Sequence, residues 1–229
     1  MRFGDLVKHG SHEDVVKHLR ELASRIDAAR AGVSIRKKDD YLGFALGRLV
    51  VYASTQVNRL AALYHGEVEP LGWIARNLFE ASLICDYVLT DLRRAQEFCT
   101  QKARDEIQIN EGFITLSEDP KSPDLAPLRD RIGHIRRTLS AHAMPESRPW
   151  SVSDLAKWTN RTSDYDAFFK LYSKYVHPSS WLVLAEPTEI DNEATRYVFV
   201  LQAQYYAAQI LKIAEDYPSL NKGPAKFGA

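Results

Sequence analysis

The sequence predicts an all-α protein, a single-domain bundle of roughly six to eight helices over residues 1–217 with a flexible tail at 218–229. Three observations carry this expectation. Apolar residues recur three and four apart in segment after segment, the spacing of an amphipathic helix. No stretch alternates apolar and polar residues over a useful strand length, and no fixed repeat period appears. The chain has 229 residues, 45% of them hydrophobic and 26% charged, the balance of an ordinary globular domain.

Taken in order, Ser11 is placed to cap a first helix carrying Val15, Leu19, Leu22, Ile26 and Ala29, with Gly32 where a left-handed cap would fall. A second helix is expected from about Asp39 to Tyr64 on the stripe Leu42, Leu46, Leu49, Ala53, Val57 and Leu60, stopped by His65-Gly66. From Pro70 to Leu89 the apolar residues cover nearly the whole circumference, which predicts a central helix buried on several sides. Thr90 is expected to cap a fourth helix to about Glu111 with the narrower stripe Leu92, Ala95, Cys99, Ala103 and Ile107.

The Ser/Pro-rich segment from Ser117 to Pro123 reads as a loop, followed by an amphipathic helix on Leu125, Leu128, Ile132, Ile135 and Leu139. A second loop, Ala143 to Ser153, holds Pro145 and Pro149. Short helices near Ser153–Trp158 and Asp164–Val176 follow, the latter ended by Pro178. The apolar run Trp181 to Ala185 is too short to assign, and a last long helix spans Asn192 to Asp216. Both Pro-rich loops read as connections within the domain.

Composition narrows the function classes. Lys+Arg and Asp+Glu are equal, at 30 each, and the pI is near 7.1, so nothing in the charge calls for non-specific nucleic-acid or membrane binding. Two cysteines, Cys85 and Cys99, cannot build a disulfide framework, and both sit on apolar stripes as core residues. With no signal segment and no transmembrane-length run, the expectation is a cytoplasmic protein without a membrane partner.

Chemistry concentrates at two places. Arg76 and Glu80 stand four apart inside the apolar third helix, on a face with Trp73, Leu83 and Tyr87. Charges on such a helix must pair or line a wet cavity, because desolvating them alone costs several kcal/mol. The plain reading is a structural ion pair; the functional one is a polar pocket. Later, Ser173 and His177 are four apart before Pro178, which biases His177 out of the helix and leaves its ring beside free carbonyls at a helix end.

These two segments together, Leu71 to Glu80 and Ser173-x-x-x-His177-Pro178-Ser179, resemble a family of uncharacterised all-helical bacterial proteins with an R-x-x-x-E helix and a late S-x-x-x-H-P-S segment. The likeness spans roughly Asp40 to Tyr206. It implies that Arg76, Glu80, Ser173 and His177 meet as one catalytic or binding site, with an aromatic one turn before the serine, here Phe169. The chain is also similar in pattern to the higher-eukaryote-and-prokaryote nucleotide-binding (HEPN) bundles, metal-independent ribonucleases or toxins that work as dimers. Arg129-Asp130 before His134, and Arg136 and Arg137 before His142, carry that second likeness. On a helix, however, Arg129 and His134 lie about 140° apart, and a solvated face accounts for both.

Metal chemistry has little support. There is no E-x-x-H or H-E-x-x-H, no P-loop and no G-x-G-x-x-G, and His9, His12 and His18 read as incidental neighbours. Trp150, Trp158 and Trp181 read as packing residues. The sequence thus leaves three readings, none needing a cofactor. The first is a HEPN-like ribonuclease, toxin or phage-defence effector with Arg76 holding a phosphate and His177 moving a proton. The second is a non-catalytic module for a nucleotide, RNA or small anion. The third is an oligomerising bundle with a structural network, and narrow stripes on the first and fifth helices leave room for a homodimer.

Overall fold

Capping side chains set most of the helix starts. The computed structural model describes residues 6–33, 40–144 and 150–220, the side chains of 219 and 220 excepted. Ser11 accepts from the Asp14 amide (3.2 Å) and opens α1, His12–Arg30. Asp40 accepts from the Gly43 amide (2.9 Å) and opens α2, Tyr41–Leu63. α3 spans Val68–Thr90, and Asp91, accepting from the Arg93 amide (2.9 Å), starts α4, Leu92–Leu116. A 3₁₀ turn, Pro123–Leu125, leads into α5, Ala126–Ala141.

Ser151 and Asp154 form a reciprocal capping box at the head of α6, Val152–Trp158. α7, Thr162–Asp164, runs through a π turn at Tyr165–Phe169 into α8, Lys170–Val176. Two short helices, α9 (Ser180–Leu184) and α10 (Pro187–Ile190), precede α11, Glu193–Leu220. Eight of these helices have seven residues or more, and no strand occurs among the described residues.

Several boundaries differ from the sequence expectation for physical reasons. Gly32 has no positive φ and is not a left-handed cap. Its lack of a side chain instead lets α11 approach, since a Cβ there would lie 3.1 Å from Cγ of Pro218. Thr90 does not cap α4; its hydroxyl donates back to the Tyr87 carbonyl, and Asp91 does the capping. α4 runs past Glu111 to Leu116, and the run from Trp181 resolves as the single-turn α9. α11 continues through Pro218 to Leu220, so residues 218–220 belong to the helix; 221–229, like Asp39, Pro145 and Pro149, lie outside the described residues.

α3 is the axis of the bundle. It packs on α2 and α11 and is bordered by α4, α6 and α8, while α1 covers α2 and α11. Leu71, Leu78, Phe79 and Leu83 of α3 are fully buried with Phe199 and Tyr206 of α11 and Tyr172 of α8. Each such side chain contributes about 1.5–3 kcal/mol relative to exposure. Gly72 permits the closest approach, because a Cβ there would meet Phe199 and Cβ of Tyr175 at 3.2 Å. The predicted all-round burial of α3 fails on one strip, where Trp73 is 52% exposed.

The outer half of α4 departs from this plan. α5 packs principally on α4 and buries only Ile132 and Ile135. No residue of α4 beyond Thr100 is buried, so the α4–α5 hairpin stands off the bundle as an arm. Among the described residues no helix is long and apolar enough to cross a membrane.

Candidate functional site

The open strip of α3 carries the predicted α3 residues. Arg76 Nε donates to Glu80 Oε1 at 2.7 Å, and its guanidinium lies 4.6 Å over the ring centroid of Phe169. The two side chains are 20% and 28% exposed, so this is a surface-accessible pair on a largely apolar helix. Neither Nη atom of Arg76 has a hydrogen-bond partner among the described residues. Tyr52 of α2 stands across the strip, its phenol pKa raised by burial and further by the charge of Glu80.

α8 supplies the other wall. Trp73 Nε1 donates to the Tyr175 carbonyl (3.0 Å), satisfying one of the orphan acceptors at the end of α8. Arg76 is thus level with Phe169 and Trp73 with Tyr175, so α3 and the 162–176 helix run antiparallel. Ser173 lies between those levels and donates to the Phe169 carbonyl of its own helix (2.9 Å). His177 caps α8 in extended geometry (φ −120°, ψ 147°), as Pro178 dictates, with its side chain exposed. Phe169, one turn before the serine, has no hydroxyl to offer and instead provides the face on which Arg76 rests.

The four residues therefore do not form one bonded network. No hydrogen bond or ion pair joins Arg76 or Glu80 to Ser173 or His177 among the described residues. The π turn at Tyr165–Phe169 lies beside them, with Tyr165 stacked on Phe169 at 4.7 Å. Such widened turns shift a helix face by one residue and recur at functional sites.

Sequence reasoning missed a second polar cluster, centred on Arg161. Asn160, at φ 58°, turns the chain so that Arg161, whose side chain is 12% exposed, enters the bundle. Its guanidinium donates to Ser82 Oγ (2.8 Å) and contacts Asp86 Oδ2 (3.3 Å) and Asp164 Oδ2 (3.0 Å). It also sits 5.5 Å from the Phe79 ring centroid and 5.3 Å from that of Tyr206. Burial raises the Asp86 carboxyl above the ordinary carboxylate range, and Arg161 opposes that shift. Tyr172 donates to Gln202 Oε1 deeper in, and burial pushes its phenol pKa far up, as it does that of Tyr206. The available signal was Asp86 itself, a further charge on the apolar α3 after Arg76 and Glu80, four residues past Ser82.

One family description, "Family of unknown function (DUF5677)", matches residues 47–188. The chain belongs to this family. No curated protein and no solved structure matches it. The DUF5677 region contains both walls of the strip and the whole connection between them, together with Arg161, Asp86 and Asp164. α1 and the whole of α11 fall outside it.

Within the DUF5677 region, the Arg129–His134 pair has a structural account. Arg129 donates to the Pro120 carbonyl (2.9 Å) and the Ser122 carbonyl (2.8 Å), which fastens the α4–α5 connection. His134 is exposed on α5. Arg136 pairs with Glu111 of α4 at 2.6 Å. Outside the region, His12 contacts Glu193 at 3.4 Å and packs its ring near Tyr64 and His65. His18 has its pKa lowered chiefly by burial. Among the described residues no group of three His, Cys, Asp or Glu side chains could hold a metal ion.

Proposed function

We propose that this DUF5677 protein is a non-catalytic binding module whose α3–α8 strip takes an anionic ligand, a nucleotide being the class that uses both its charge and its aromatic surface. One observation carries the reading. Arg76 is held by Glu80 through Nε and by the Phe169 face, while neither Nη group has a partner among the described residues and Trp73, one turn earlier on α3, is exposed. A guanidinium held in this way presents a pre-oriented fork of donors that fits a phosphate or carboxylate edge. Glu80 and Phe169 are then positioning residues, and Trp73 offers a flat surface for a base.

The test is a thermal-shift screen with nucleoside mono-, di- and triphosphates and with inorganic phosphate. A ligand that binds only the folded chain raises Tm with concentration. The wild type should shift with at least one nucleotide, and Arg76→Ala should abolish the shift while keeping its helical circular dichroism. No shift with any of these probes would reject the reading. A ribonuclease, toxin or defence effector on the same residues makes a different demand, namely that an imidazole reach the phosphate that Arg76 holds. Cleavage of an RNA by the wild type, lost in His177→Ala, would replace binding by catalysis.

A further inference from the structure

The free face of the α4–α5 arm has a shape that one chain does not use. Ile109, Phe113 and Leu116 lie along one side of α4 and are 58%, 58% and 84% exposed. At 100° per residue this side is about 130° round from the α5 contact, which the ion pairs Glu106–Arg131 and Glu111–Arg136 flank. Amid these large side chains stands Gly112, and a Cβ there would meet nothing within 4 Å. Among the described residues neither a turn, a positive φ nor a close neighbour calls for glycine at this mid-helix position, where it is a poor helix former.

We propose that this face of α4 is a two-fold interface with a second copy of the chain. A two-fold axis between residues 112 and 113 sets Ile109 opposite the other copy's Leu116. It also sets the Phe113 ring over the hollow at the other copy's Gly112. A bump and a hollow at adjacent positions are self-complementary under this operation, as an isologous contact requires. The rows 109–113 and 112–116 are i, i+4 ridges, which interdigitate when two helices cross at about −50°. A face complementary to itself favours a copy over an unrelated partner.

The area fits a modest dimer. The three side chains expose about 400 Å² per copy, the size of the largest apolar patch on a typical monomer, which is often a functional surface. A stable interface needs about 800 Å² from each partner, and the flanking Lys102, Asp105 and Gln108 supply part of the remainder. An area at the low end of this range gives a weak, concentration-dependent dimer. This contact uses α4, whereas the sequence stripes had pointed to α1 and α5.

Sedimentation velocity from about 1 to about 200 µM tests the proposal. The wild type should shift from monomer to dimer across that range. Phe113→Glu and Gly112→Trp should each remain monomeric throughout, the first by placing charge in the contact and the second by filling the hollow. Both sites are open in the monomer, so retained helical circular dichroism and a cooperative thermal transition no lower than that of the wild type at low concentration confirm that each variant folds. A wild type that stays monomeric at the highest concentration would overturn the proposal. A dimer that both variants preserve would overturn it equally, by placing the contact elsewhere.

Discussion

Replacing Arg161 by alanine removes the cation that three elements of the bundle share. In the wild type its guanidinium contacts Asp86 and Asp164, donates to Ser82, and rests against Phe79 and Tyr206. Breaking a fully buried pair costs about 3–5 kcal/mol, because the surviving charge is left uncompensated. Here the carboxylates are 40% and 35% exposed and can be partly rehydrated, so the expected loss is about 2–3 kcal/mol. For a chain of this size that lowers Tm by roughly 5–10 °C. Arg161→Met, which keeps much of the packing on the two rings, should lose most of the same amount if charge is the main contribution.

Urea denaturation of wild type and variant, followed by circular dichroism across a pH series, measures both the size and the sign. The Asp86 carboxyl has a raised pKa in the fold, and Arg161 is what limits the rise. Without Arg161 the folded pKa climbs further, so the variant is penalised for holding a charged Asp86 above that pKa. As pH falls through it, the carboxyl takes a proton in the folded state and the penalty disappears. The gap between wild type and variant should therefore be full at neutral pH and narrow toward the ordinary carboxylate range. A loss below about 1 kcal/mol, or a gap that widens on acidification, would refute this account of the cluster.

Three further outcomes are expected. Trp73→Phe keeps the ring but loses the bond to the Tyr175 carbonyl, and should cost about 0.5–1.5 kcal/mol in the same denaturation assay. Arg129→Ala frees the Pro120 and Ser122 carbonyls, so amide exchange should accelerate in the 117–125 connection while the nucleotide-induced thermal shift stays as in the wild type. Cys85 is fully buried with its thiol pKa pushed far up, and Cys99 is pushed up to about 11 by partial burial. Iodoacetamide at pH 8 should therefore leave both unlabelled in the native protein and label both in urea, read by intact mass.

The helices were legible because their signals are local. Ser11 and the periodic stripes of α1, α2 and α5 name their own starts and buried faces. Periodicity reports that a residue is apolar but not whether a neighbour covers it. Trp73 is therefore exposed on a helix that looked like core, and α4 was expected to stop near Glu111 rather than continue with an open apolar face. The π turn at Tyr165–Phe169 has no spacing of its own to betray it. Arg161 was missed because, beyond the local Asp164, its partners at 82, 86 and 206 come to it only through the tertiary fold. The Arg76–Glu80 pair was legible as an anomaly on α3, but its free outward fork depended on Phe169, ninety-three positions away.

Isothermal titration of the wild type and of Arg76→Ala with the nucleotide that gives the largest thermal shift, each against inorganic phosphate, tests the central claim most directly. The account predicts saturable one-site binding to the wild type, weaker binding of phosphate alone, and a loss of about tenfold or more on removing the guanidinium fork. Equal affinity for the two proteins would contradict it, because the ligand would then be held somewhere other than the strip.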